Sequence, residues 1–399
     1  MANDLVVASV DFCMAQDGTS TMMIRELESL GFRSPRTKKG MALVIDHNSP
    51  CPSVDVAKIH SRIRRFASST AVPLFDVGEG VCHQVVPESG KVLPGDLVVG
   101  ADSHTCTYGA LNACSTGLGS ADVAAAAFTG KLWFKVPSSF SVKVDGALAD
   151  RVGAKDLALE TIRTITSDGA TYKSIEFVGN AIDSLGMDGR FTIANMAVEM
   201  GAKFCPFGFD SRTAGWYASK GLTVGQSVAS DEDAVFERQF DFDASDLVPK
   251  VAKPHTVDNV CDASDLKGVP IQQAFLGTCT NGRLDDLEAA ARLLKGRPIR
   301  NGVRFIVAPS SKTILAQAIE SGAISKLLKA GATLVTPGCG PCVGTHAGIP
   351  SDGESVISTA NRNFKGRMGN NKDVSIYLAS PETVVASAIM GEITDPREI

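Results

Sequence analysis

Apolar residues recur along the first third of the chain in short runs separated by polar turns. The run Leu-Val-Val-Ala-Ser-Val within residues 4–10 is apolar and β-branched enough to predict a buried strand. Gln16-Asp17-Gly18-Thr19-Ser20 predicts a turn, and the spacing of Met22, Met23, Ile24, Leu27 and Leu30 predicts a helix that stops at Gly31. Residues 41–45, 73–77 and 96–100 read as further strands, with an amphipathic helix around 59–66. An alanine-rich helix opens at Gly117-Leu-Gly119-Ser120, where backbone N–H groups could receive an anion, and gives way at Val136-Pro137 to a strand over 140–144. Residues 193–201 read as a helix, and the proline-punctuated stretch 247–256 as a linker. Beyond it, strands at 272–276, 303–308 and 332–335 alternate with a helix at 284–294. Alternation of this kind predicts an α/β protein.

Chemistry-bearing residues gather where the expected strands end, which is where open α/β sheets place their sites. Asp46-His47 follows one strand, His83 another, and Asp102-Ser103-His104 a third. A lone histidine there suits a surface turn, but these are three of only six in the chain and lie beside two aspartates. Asp–His pairing fixes the tautomer and raises the basicity of the ring, so the set suits proton transfer. Asn195 and Glu199, four apart, share one helix face, either as a solvated stripe or as part of a site.

Three cysteines form a second centre. Cys279 lies in Gly-Thr-Cys-Thr-Asn-Gly-Arg, and Cys339 and Cys342 in Pro-Gly-Cys-Gly-Pro-Cys. The three expected strands put them on adjacent strand ends. Three thiolates are one short of a full iron–sulfur or zinc shell, so a catalytic three-cysteine cluster, zinc and simple buried thiols all remain open from spacing. Arg362 and Arg367 suit either a surface basic run or a shaped loop whose guanidinium forks hold carboxylates.

Composition narrows the class. At 399 residues the chain suits two or three domains, and 44% hydrophobic with 21% charged residues describes a globular protein with ample core. The net charge of −5 leaves no electrostatic footprint for nucleic acid, and no apolar run reaches membrane-spanning length. A cytoplasmic protein with reduced thiols is expected.

The motifs at 82–84, 100–105, 277–283, 337–342 and 361–367 together resemble the aconitase superfamily, nearly end to end and in order. Within it, length and motif wording resemble the large subunits of 3-isopropylmalate dehydratases and homoaconitases. The resemblance implies three α/β domains around a cleft, at 1–137, 138–255 and 256–399. It implies a hydro-lyase acting on a small 2-hydroxy di- or tricarboxylic acid, of the type that isomerises 2- and 3-isopropylmalate in leucine biosynthesis. Homoaconitase, citramalate and 2,3-dimethylmalate dehydratases use the same scaffold, and a cluster-free RNA-binding protein or a structural zinc protein are readings of another class. One [4Fe–4S] cluster per chain is implied, on Cys279, Cys339 and Cys342, with one iron not bound by cysteine. Asp46, His47, His83, Asp102, His104 and Glu199 match the family's catalytic positions, and Gln16, Ser103, Asn195, Asn361, Arg362 and Arg367 its substrate contacts. Gln16 departs from the histidine usual in isopropylmalate dehydratases and homoaconitases. The chain runs to Ile399 without a fourth domain, so the swivelling domain and its catalytic serine are expected on a separate small subunit, without which this chain is inactive.

Overall fold

The computed structural model describes residues 1–225 and 227–399. They form two compact units: Met1–Val77 with Cys82–Asp145 and Ala170–Phe242, and Gly78–Val81 with Gly146–Gly169 and Asp243–Ile399. The sequence segment 138–255 is thus divided between the two.

The first unit is built on a five-stranded parallel sheet in the order Leu74–Phe75, Met41–Val44, Phe12–Gln16, Leu97–Gly100, Cys114–Gly117. All five residues of Phe12–Gln16 are buried, as a strand covered on both faces requires. The chain winds outward from it in one direction through Met41–Val44 and Leu74–Phe75, then in the other through Leu97–Gly100 and Cys114–Gly117. This sets a topological switch point between Phe12–Gln16 and Leu97–Gly100. The helix Asp17–Ser29 follows at once and buries Met23, Ile24 and Leu27 on its sheet face, leaving Met22 exposed. A three-stranded sheet of Arg238–Asp243, Ser139–Asp145 and Ser174–Val178 completes the unit.

The second unit has a seven-stranded sheet ordered Val260–Asp262, Lys250–Ala252, Ser375–Ala379, Ser355–Ser358, Gln273–Gly277, Arg304–Ala308, Ala332–Leu334. The last five are parallel, and Lys250–Ala252 joins antiparallel at one side. Here too the winding reverses, between Gln273–Gly277 and Ser355–Ser358. Leu287, Ala290, Ala291 and Leu294 of the helix Leu284–Leu294 follow a 3.6-residue period and pack into the core beneath the sheet.

Several expectations change. The run expected as a buried strand is Leu5–Ser9, a surface ribbon paired with Lys131–Lys135, with Leu5 and Val7 more than 70% exposed. The buried strand is Phe12–Gln16, masked in sequence because Gln16 reads as turn. The stretch 247–256 is no linker, since Lys250–Ala252 pairs on both edges. The helix at 193–201 is the end of Met187–Met196 continued by a tighter 3-10 turn, Ala197–Met200. No helix among the described residues is long and apolar enough to cross a membrane.

Candidate functional site: a carboxylate–imidazole cluster and a cysteine centre

At the switch point of the first unit, Gln16 ends one strand and Ala101-Asp102 follows the other, and Gln16 Nε2 lies 3.4 Å from Asp102 Oδ2. Asp102 is the hub. Its Oδ1 lies 2.8 Å from His83 Nε2 and accepts from the His104 N–H at 2.9 Å, while His47 Nε2 stands 3.4 Å from Oδ2. His47 Nδ1 lies 2.8 Å from Asp46 Oδ1, and the other Asp46 oxygen accepts from the Cys82 N–H at 2.7 Å. His104 Nε2 meets Glu199 Oε1 at 2.7 Å. The Asn195 amide donates to Thr107 Oγ1 at 2.9 Å, so neither Asn195 nor Glu199 is a solvated stripe; both are buried. Ser103 opens the 3-10 helix Ser103–Leu111, and Gln16 caps the helix Asp17–Ser29 by accepting from the Gly18 N–H. His83 sits on the short helix Cys82–Glu88 rather than on a strand end.

The two imidazoles facing Asp102 titrate in opposite directions. Burial disfavours charge on His47, yet the Asp46 carboxylate beside it, with Asp102, raises its pKa well above the ordinary imidazole value. For His83 burial prevails over the attraction of Asp102, and the pKa falls. Its Nδ1 is buried and has no hydrogen-bond partner. Burial also works against ionised Asp102, but His83 and the hydrogen bonds from His104 and His47 hold it well below the usual carboxylate range. At neutral pH one carboxylate therefore faces a charged imidazole and a neutral one.

The second unit gathers its own set at its switch point. Cys279 follows Gln273–Gly277, Asn361 lies just beyond Ser355–Ser358, and Cys339 and Cys342 flank the start of the 3-10 turn Gly340–Val343. The cysteine loops do not leave neighbouring strands: Arg304–Ala308 lies between theirs. The later loop instead bends back at Gly340, whose φ of +58° suits glycine, toward Ala308 and Phe275. Asn361 links the set, with Nδ2 at 3.5 Å from Cys279 Sγ and Oδ1 at 3.9 Å from Cys342 Sγ. Arg367 Nη2 donates to Cys342 Sγ at 3.3 Å, and its guanidinium lies 5.8 Å from the Phe364 ring. Arg362 is half-buried on the same loop.

A model of the aconitase family (aconitate hydratase) matches residues 2–268 and 261–391. The chain belongs to the aconitase family. Among its relatives, a probable methanogen homoaconitase large subunit of Methanosarcina mazei is 48% identical over 99% of this chain and 100% of its own length. The 3-isopropylmalate dehydratase large subunit 2 of Archaeoglobus fulgidus is 49% identical over 100% of this chain and 95% of its own. A 3-isopropylmalate dehydratase large subunit 1 of Thermotoga maritima is 47% identical over 99% and 95%.

Membership in the aconitase family implies an iron–sulfur cluster, and the cysteine centre fits one. All three sulfurs belong to buried residues. The Cys339 thiol is held well above its usual range by a hydrogen bond with Cys342, by burial and by the neighbouring Cys342 and Cys279 sulfurs, with only Arg367 pulling the other way. A thiol so placed ionises only when a strong cation compensates its charge. The Asn361 and Arg367 donors then supply the hydrogen bonds that thiolate ligands accept.

Sequence reading missed the residues that hold these loops. Asp17 accepts from the N–H groups of Asp46 (3.1 Å), His47 (2.8 Å) and Asn48 (3.0 Å) and from Asn48 Nδ2 (2.9 Å). Its place beside Gln16 in a polar run was the only signal. Buried Arg283, within the Cys279 motif, donates to the carbonyls of Cys279 (2.7 Å) and Thr280 (2.9 Å). Buried Lys155 donates to the carbonyls of Thr359 (3.0 Å) and Ala360 (2.7 Å), just before Asn361, and nothing in its surroundings in sequence marked it.

Proposed function

We propose that this chain is the large, cluster-binding subunit of a hydro-lyase that removes water from a 2-hydroxy diacid and returns it, of the 3-isopropylmalate dehydratase type. The observation that carries the reading is the convergence of His47 and His83 on the single carboxylate of Asp102, beside the Asp46–His47 and His104–Glu199 pairs. The departing hydroxyl needs a proton donor, and microscopic reversibility makes the same group, once neutral, the acceptor when water adds back. His47, held by Asp46, has the raised pKa that suits this double duty. His83 holds Asp102 in place through Nε2, and the His104–Glu199 pair steadies the hydroxyl oxygen.

Arg362 and Arg367 bind carboxylate oxygens through their guanidinium forks, while Gln16, Ser103, Asn195 and Asn361 add amide and hydroxyl contacts or orient the groups that do. Cys279, Cys339 and Cys342 hold the metal. When bound, a [4Fe–4S] cluster with one iron free of cysteine supplies a Lewis acid that makes hydroxyl a better leaving group. The proton on carbon is assigned to a serine of a separate small subunit, as the large-subunit names of the relatives support. A reducing cytoplasmic setting suits the cysteine ligands. Homoaconitase chemistry is the second reading, favoured by the Methanosarcina relative.

The test is anaerobic reconstitution with iron and sulfide, iron and zinc analysis, and a screen of 2-hydroxy diacids with the small subunit added. About four irons per chain and turnover of isopropylmalate are expected. Stoichiometric zinc without iron, or a reconstituted complex inert to every diacid, overturns the assignment.

A further inference from the structure

A cavity of about 410 Å³ in the first unit opens beside the cluster, lined by Asp102, Ser103, Gly117, Gly119 and Lys203. It lies at the carboxyl ends of Leu97–Gly100 and Cys114–Gly117. Gly117 and Asp102 meet there so closely that a Cβ on Gly117 would stand 2.4 Å from the Asp102 carbonyl oxygen. Lys203 brings the only ammonium group to this wall. It makes one long contact, Nζ to the Gly117 carbonyl at 3.4 Å, and lies 5.5 Å from the Tyr172 ring. Among the described residues no carboxylate stands within ion-pair distance of it. Burial lowers its pKa, with Asp122 opposing the shift from farther off. Asp122 lies in the first turn of the helix Ser120–Thr129 and answers the positive end of that helix, so the helix start is not the feature that attracts an anion here.

A half-buried ammonium without a counter-ion, in a cavity that Ser103 also lines, suits a carboxylate held on the Lys203 side, away from the ionised Asp102 that shares the lining. A 2-hydroxy diacid carries two carboxylates. Within the first unit the acid–imidazole cluster offers a carboxylate only aspartate, glutamate and histidine, so Lys203 is the cation placed to meet one there. We propose that Lys203 binds a substrate carboxylate in this cavity, with Ser103 as its hydroxyl partner. The inference deepens the diacid reading and rests on it for the identity of the ligand.

The test uses the reconstituted two-subunit complex and its Lys203→Met and Lys203→Arg variants. Calorimetric titration with malate, a 2-hydroxy diacid, reads binding without turnover, and steady-state kinetics on isopropylmalate read KM and kcat separately. Lys203→Met is expected to weaken malate binding and raise KM at least tenfold while kcat changes less than threefold, and Lys203→Arg to restore most of the affinity. A merely structural lysine would lower thermal stability in Lys203→Met and leave binding and KM as in the wild type, and that result overturns the inference. Wild-type complex that fails to bind malate overturns it as well. Lys203-dependent binding of malate in a complex that turns over no diacid leaves the inference standing and removes the dehydratase reading instead.

Discussion

The two switch points solve opposite electrostatic problems. In the first unit every acid of the cluster already faces an imidazole: Asp46 with His47, Asp102 with His83, Glu199 with His104. Attraction within the set offsets the burial of its charges, and His83 Nδ1 is left as a buried atom without a partner. In the second unit the buried groups are three thiols, of which Cys339 resists ionising beside the other two, with Asn361 and Arg367 hydrogen-bonded to its neighbours. One site is assembled by folding, and the other has the donor set that a cation would finish. The lesson is that identical sheet topology can position either kind of chemistry, and that the composition of the loops beyond the strands decides which.

Substitutions should separate the two. The largest effect is expected for Cys339→Ser, with reconstituted iron lost and turnover down about 10³-fold or more, while the histidine resonances of the first unit stay in place by NMR. Glu199→Gln is expected to retain iron and to lower kcat about 10²- to 10³-fold by leaving His104 without its acid, as steady-state kinetics and iron analysis on one preparation will show. If Glu199→Gln loses iron instead, the independence of the two centres is lost with it.

A smaller effect is expected at Asp17, which carries no substrate role. Asp17→Asn weakens several charge-assisted hydrogen bonds to the 46–48 loop and should cost about 3 kcal/mol in denaturant unfolding. The gentlest probe is pH. His47 has a raised folded-state pKa, so its stabilisation is present in full below the unfolded value near 6.5 and is lost as pH rises through the folded value. His83 has a lowered one, so its contribution is present above the unfolded value and is lost as pH falls through the folded value. Denaturation midpoints of His47→Asn should therefore lack the alkaline decline expected of the wild type, and keep the acid one.

Much of the site was legible because its residues are chemically conspicuous. Three histidines beside two aspartates stand out against a surface-turn reading and do gather around Asp102, whereas spacing alone leaves the cysteines open between a cluster, zinc and buried thiols. The fold class followed from alternation of strands and helices, and the helix Leu284–Leu294 from its period. Burial was harder to read. Leu5–Ser9 is as apolar as any core strand yet pairs along one edge at the surface, because neighbours distant in sequence decide which strands are covered. Lys250–Ala252 looked like a linker because prolines bracket it, and its pairing with Ser375–Ala379 is invisible at that separation. Asp17, Lys155 and Arg283 were hidden for a related reason: their partners are backbone groups, which every residue has.

The spacing of the cysteine loops has a consequence for the lifetime of the protein. Cys279 follows one strand and Cys339 and Cys342 another, with Arg304–Ala308 between them, so a metal held by all three sulfurs staples the sheet across a strand it does not touch. A crosslink closing several tens of residues stabilises by about 4 kcal/mol in the chain-entropy picture. With an iron–sulfur cluster on all three sulfurs, loss of iron would release this staple, and limited proteolysis of the metal-free protein is expected to cut the 279–342 region faster than that of the loaded one.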